Sequence, residues 1–96
     1  MEVNIIDNKE KKRFEFKIED NLSFVEYIVA QDKIYLTHTE VPKELEGKGI
    51  ASEMIKQIFK KIKEENLKLI PLCPFVAGYI KNHPKYKELL AKGYNV

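Results

Sequence analysis

An α+β (mixed α/β) fold in one domain follows from three features of this 96-residue chain. Up to Val41, apolar and polar residues alternate in short segments, which is the period of half-buried strands. Beyond Gly47 and Gly49 the apolar spacing becomes helical, at Ile50, Ala51, Met54, Ile55, Ile58, Phe59 and Ile62. A last strand-like run, Leu67 to Cys73, follows that helix and so lies most simply parallel to the strand before it.

Taken in order, Val3 to Ile6 reads as a short strand and Asp7 to Glu10 as a turn. Phe14, Phe16 and Ile18 alternate with Arg13, Glu15 and Lys17, the mark of a strand with one wet face. After the turn Glu19 to Asn21, the stretch Leu22 to Ala30 is rich in β-branched and aromatic residues. Gln31 to Lys33 connects it to a fourth strand, Ile34 to Val41, ended by Pro42. Strict alternation there puts Ile34, Leu36, His38 and Glu40 on one face and Tyr35, Thr37, Thr39 and Val41 on the other. Short connections throughout make these strands a meander. The helix runs to about Glu65, with Asn66 as its stop. Pro71 has no N–H to give a ladder, so pairing fails or splays at the end of the fifth strand. Phe75 to Asn82 is a short helix broken at His83-Pro84, Tyr86 to Leu90 another, and Gly93 to Val96 a tail.

The balance of 17 basic and 15 acidic residues, net +2, argues against a nucleic-acid binder. Lys9, Lys11, Lys12 and Arg13 cluster on a turn, while Lys56, Lys60, Lys61 and Lys63 fall mostly on the polar side of the long helix, the usual place for a solvated charged face. A single cysteine forbids an intrachain disulfide and suits a reducing compartment. Met1 to Ile6 lacks the layout of a signal peptide, and no apolar run nears the roughly 20 residues that span a bilayer. A cytoplasmic protein without membrane contact, monomeric or weakly dimeric, is expected.

The glycine pair opens the long helix. Glycine admits positive φ and close approach of a ligand, and the first amides of a helix lack intrahelical partners at its positive end. Gly47-Lys48-Gly49-Ile50-Ala51 therefore reads either as a phosphate seat or simply as a tight turn. His38 has the side chain best suited to a general base near neutrality; a hydrogen-bonded structural histidine is the other reading. His83 fits a local cap or packing role. Two distant histidines and one cysteine fall short of a zinc set, so no metal is expected. The glycine turn also lacks the Lys-Ser/Thr of a P-loop.

This order of elements resembles the GNAT acetyltransferase superfamily. Glu44-Leu45-Glu46-Gly47-Lys48-Gly49 is similar to its Gln/Arg-x-x-Gly-x-Gly/Ala turn, with Glu44 in place of Gln/Arg and Glu46 adding negative charge beside the turn. The closer resemblance is to the compact single-domain family named for a characteristic Cys and Gly. It rests on His38-Thr39-Glu40-Val41-Pro42, Gly47 to Ala51, Pro71-Leu72-Cys73-Pro74-Phe75, Tyr79-Ile80 and His83-Pro84-Lys85-Tyr86. The resemblance implies an acetyl-CoA-dependent N-acetyltransferase acting on an unidentified amine, a protein lysine or terminus or a small molecule. It further implies acetyl-CoA in the splay, its pyrophosphate on Gly47 to Ser52 (Gly47, Lys48, Gly49, Ile50, Ala51, Ser52), and its pantetheine and carbonyl oriented by backbone groups of Thr39, Glu40 and Val41. By the same resemblance Cys73 is the catalytic cysteine, Tyr79 a proton donor to the CoA thiolate and Asn82 a pantetheine contact. Read from the residues alone, Cys73 is equally a buried small hydrophobe, Tyr79 a core aromatic and Asn82 a helix stop. The rival functions are a CoA-binding module without catalysis and a small nucleic-acid or protein interaction domain.

Overall fold

The computed structural model describes residues 4–47 and 49–96; Val3, expected to open the first strand, and Lys48 lie outside them. Five strands form one sheet in the order β1-β2-β3-β4-β5. They are β1 (Ile5–Asn8), β2 (Arg13–Ile18), β3 (Asn21–Ala30), β4 (Lys33–Glu40) and β5 (Lys68–Pro71). The first four pair antiparallel as a meander. The tight connections turn on residues with positive φ, Lys12 (54°), Glu19 (56°) and Gln31 (59°). Helix α1 (Ile50–Glu64) crosses over and returns the chain as β5, parallel to β4. Asn66, at φ 58°, sits just past its end, where a left-handed residue stops a helix.

One face of the sheet carries the core. Phe14 and Phe16, Val25 and Tyr27, Ile34 and Leu36, and Leu69 pack there against Met54, Ile58, Phe59 and Ile62 of α1. Helix α2 (Pro74–Asn82) adds Val76 and Ile80 to the same cluster. Arg13 and Glu15 point the other way and pair at 2.5 Å. The Arg13 guanidinium holds the Glu15 carboxyl below its usual range and lies 4.4 Å over the Phe24 ring. The strand faces read from alternation in β2 thus hold.

In β4 they do not. The register with β3 jumps between Glu26↔His38 and Tyr27↔Leu36, which leaves Thr37 as an extra residue. This is a β-bulge, and the Thr37 hydroxyl donates to the Glu26 carbonyl at 3.3 Å. A bulge adds one residue to a period of two, so every side chain after it changes face. Leu36 is buried. His38 and Glu40, expected on its face, are instead exposed on the outer one, while Thr39 turns inward opposite Val25.

The other departures are local. A single 3₁₀ turn, Lys43–Leu45, precedes the glycines and buries Leu45. The short helix expected at Tyr86 to Leu90 is a 3₁₀ helix that starts earlier, Pro84–Leu89. The chain after it returns to the sheet, where Leu90 bridges Leu69 and the Ala91 amide donates to the Leu69 carbonyl at 2.9 Å, so the free edge of β5 is covered in part.

Candidate functional site

The parallel ladder of β4 and β5 runs only from Lys33↔Lys68 to Leu36↔Pro71. Pro71 brings no N–H, and the amides of Leu72 and Cys73 both donate to the Leu36 carbonyl, at 3.0 and 2.9 Å. That pair of hydrogen bonds to one oxygen is the last backbone tie between the two segments among the described residues. From Thr37 on, β4 pairs with β3 alone, and the chain after Cys73 turns into α2. The result is the splay that Pro71 led us to expect.

A groove of about 430 Å³ opens at this end of the sheet. Of the residues expected in a cofactor site, Thr39, Glu40 and Val41 line it from the strand side, and Gly47, Gly49, Ile50, Ala51 and Ser52 from the helix side. Gly47 and Gly49 have φ of 78° and 73°, so both occupy the left-handed region that an L side chain resists. Gly49 is also the N-cap of α1, and among the described residues no side chain caps this end. The first intrahelical bond is Glu53 N–H to the Gly49 carbonyl, at 3.2 Å. The amides of Ile50, Ala51 and Ser52 precede it, at the positive end of a 15-residue helix. Chain neighbours apart, no described residue comes within 4 Å of a Cβ added to either glycine; the shape of the turn is set by backbone conformation. Such a cradle suits the diphosphate of a nucleotide cofactor, although the Glu40 and Glu46 carboxylates share the rim.

Sequence reasoning did not place Leu45 or Phe75 in this site, yet both line the groove. Leu45 is the buried anchor of the loop. Phe75 is an exposed apolar residue at the start of α2, and its place just after Cys73-Pro74 was the available signal.

Cys73 is only 4% exposed, and its sulfur lies 3.3 Å from the Thr39 hydroxyl across the splay. It is the N-cap of α2 but makes no side-chain capping bond, so the sulfur is directed to β4 rather than to its own helix. Tyr79 reaches α1: the Ser52 hydroxyl donates to the Tyr79 oxygen at 3.4 Å. The Tyr79 ring stands edge-on to Phe59 with centroids 6.0 Å apart and stacks on His83 at 4.1 Å, whose Nδ1 is 2.9 Å from the Tyr79 carbonyl. Tyr79 therefore combines a packed ring with a hydroxyl beside the groove.

His38 is brought to a different place. Its side chain is 52% exposed on the outer face, with Nε2 at 3.3 Å from Glu40 Oε1. Asn82 ends α2 in solvent and does not line the groove. Lys48 falls outside the described residues. Among the described residues, no group of three or more His, Cys, Asp or Glu side chains could hold a metal ion, and no helix is long and apolar enough to cross a membrane.

Comparison with known proteins settles the family. Residues 13–89 match the profile of the GCN5-related N-acetyl-transferase family. The chain belongs to this family. It is an acyltransferase of the N-acetyltransferase type. It is 31% identical to Protein NATD1 of Danio rerio over 91% of this chain and 92% of that one, and 33% identical to Protein NATD1 of Xenopus tropicalis over 84% and 81%. A GCN5-like protein from Staphylococcus aureus, solved by NMR and proposed to be an N-acetyltransferase, superposes with a TM-score of 0.71 at 26% identity, covering 92% of this chain and 87% of that one. The splayed sheet and the glycine turn are thus parts of a GNAT fold.

Proposed function

We propose that this GNAT domain is an acetyl-CoA-dependent N-acetyltransferase that passes the acetyl group to an amine by way of Cys73. The observation that carries this reading is that the β4–β5 splay, the glycine cradle and the Cys73 sulfur converge on one end of the sheet. Acetyl-CoA supplies an activated thioester. Gly47, Gly49 and the first amides of α1, Ile50 to Ser52, hold its diphosphate, and the backbone of Thr39 to Val41 orients its arm along the edge of β4 that β5 leaves. Cys73 takes the acetyl group, a role that uses its seat at the positive end of α2. Tyr79, held beside the groove by Ser52, donates a proton to the departing thiolate. His38 pairs with Glu40 on the opposite face, away from Cys73, and is given the structural, hydrogen-bonded role rather than that of the base. The single cysteine suits a reducing compartment such as the cytoplasm. Balanced charge and this small groove suit a monomer or weak dimer acting on a lysine, a chain terminus or a small amine.

The test is calorimetric titration with CoA and acetyl-CoA, followed by intact mass of the treated protein. We expect binding of both and one added acetyl group that is absent from Cys73→Ala. Gly49→Val should stay folded, because forcing a side chain into left-handed backbone costs about 1–3 kcal/mol against roughly 5–15 kcal/mol of stability. It should weaken CoA binding at least about tenfold, the loss of one or two charge-assisted hydrogen bonds. Unchanged affinity in Gly49→Val would remove the diphosphate seat. Binding without acetylation in the wild type would leave direct transfer from acetyl-CoA to the amine, or a CoA-binding module without catalysis.

A further inference from the structure

The structure assigns a part in acetyl transfer to the side chain of Thr39: we infer that its hydroxyl is a positioning group that holds the Cys73 sulfur and donates to it when it is a thiolate. This rests on the reading of Cys73 as the acetyl carrier and deepens it.

Four observations converge on the pair. Thr39 and Cys73 lie 34 residues apart on different elements, yet the hydroxyl and sulfur approach to 3.3 Å, within hydrogen-bonding range for sulfur. Thr39 faces Cys73 only because of the Thr37 bulge; an uninterrupted strand would turn His38 inward and Thr39 outward. The Cys73 backbone is fixed by its amide bond to the Leu36 carbonyl and by Ala77 N–H on its own carbonyl, at 2.9 and 3.0 Å. Finally, Thr39 lines the groove while Cys73 is almost fully buried, so the hydroxyl stands where the sulfur meets the cofactor space.

The chemistry then follows. In the neutral pair either atom can donate. A thiolate has no proton, so the hydroxyl must donate to it, and a bond to a charged partner is roughly twice as strong as a neutral one. The contact is therefore kept, with a fixed donor, when the sulfur is in its attacking form. The thiolate adds to the acetyl carbonyl carbon, a carbon–sulfur bond to Cys73 forms, and the carbon–sulfur bond to CoA breaks. Its electron pair leaves on the CoA sulfur, which takes a proton from Tyr79. The amine then attacks the acetyl group on Cys73 and gives up a proton, which restores Tyr79. The sulfur departs as a thiolate, back into the Thr39 bond.

The experiment compares wild type, Thr39→Val, Thr39→Ser and Thr39→Val in a Cys73→Ala background, using acetyl-CoA as the probe. Valine keeps the β-branched shape and loses the oxygen; serine keeps the oxygen and loses the methyl. Calorimetry reads CoA affinity, and quench-flow mass spectrometry reads the rate at which Cys73 gains acetyl. At saturating acetyl-CoA, Thr39→Val should acetylate Cys73 about 10- to 100-fold more slowly than wild type, the kinetic equivalent of one hydrogen bond to a charged group. Thr39→Ser should restore most of that rate. Calorimetry sets the saturating concentration for each variant, and Thr39→Val in the Cys73→Ala background should gain no acetyl group. Full-speed acetylation in Thr39→Val overturns the inference. So does a serine variant as slow as valine, which would make the contact one of shape. Wild-type protein that binds acetyl-CoA but never gains acetyl on Cys73 would sink the carrier reading and this inference together, whereas a fast valine variant sinks this inference alone.

Discussion

Tyr27 shows how a single residue couples stability to pH. Its hydroxyl donates to Asp7 of β1, and its ring packs on Phe14 with centroids 4.7 Å apart. Burial, then the Asp7 bond and charge, push its pKa well above the ordinary 10.0. Above that ordinary value the unfolded chain releases the proton while the folded chain keeps it, so the folded state binds more protons and stability falls as pH rises. Chemical denaturation at pH 9 and pH 11 should show the wild type losing more stability than Tyr27→Phe across that interval. Equal losses would mean that the Tyr27–Asp7 pair does not control this ionisation. The sequence announced Tyr27 only as one apolar position in an aromatic-rich strand. Its partner sits 20 residues away, and no local pattern encodes such a distance.

At the scale of elements, period and punctuation carried most of the information. The alternation in β2, the helical spacing of α1, the missing N–H of Pro71 and the left-handed stop at Asn66 are properties of a residue and its near neighbours, and the structure follows them. The bulge is different. It shifts β4 against β3 by one residue, a choice made between two strands, and so His38 and Thr39 exchange the faces that alternation gave them. Thr37→Val, which removes the hydroxyl bond to the Glu26 carbonyl, should cost about 1 kcal/mol. A urea titration checks it, and a neutral substitution would mean that strand pairing alone holds the bulge. In α2, a Cβ added to Gly78 would meet no described residue within 4 Å beyond its chain neighbours and the backbone of its own helix, and Gly78 lies inside a helix without a positive φ. Gly78→Ala should therefore stabilise the protein by about 0.5–1 kcal/mol, seen as a melting temperature several degrees higher. A lower melting temperature would reveal a contact that the added methyl disturbs.

For the whole molecule, the core and the site are joined through Leu45. This residue is 2% exposed and belongs to the core cluster, yet it sits in the loop that leads to the glycine turn and lines the groove. Leu45→Ala should cost about 2–5 kcal/mol through the lost burial and the cavity left behind, and CoA affinity should fall with it because the cradle loses its anchor. A large stability loss with unchanged affinity would show that the turn holds its shape without the core. If CoA binds as proposed, a fixed excess of cofactor should raise the melting temperature of the wild type more than that of Leu45→Ala, since a ligand stabilises as the logarithm of one plus its concentration divided by Kd, and the variant's Kd is larger.

By itself the sequence determined the order of the elements, the parallel return of β5, the splay at Pro71 and the glycine turn at the head of α1. All of these follow from spacing, from backbone freedom and from the chirality of crossovers, which act within a few residues or by general rule. Only the tertiary structure decided that Thr39 rather than His38 faces Cys73, that Leu45 and Phe75 wall the groove, and that Tyr79 meets Ser52. Each of these is a contact between distant segments, fixed by strand register and by how helices settle on a shared core, and a shift of one residue in that register would have assigned the same side chains to opposite faces.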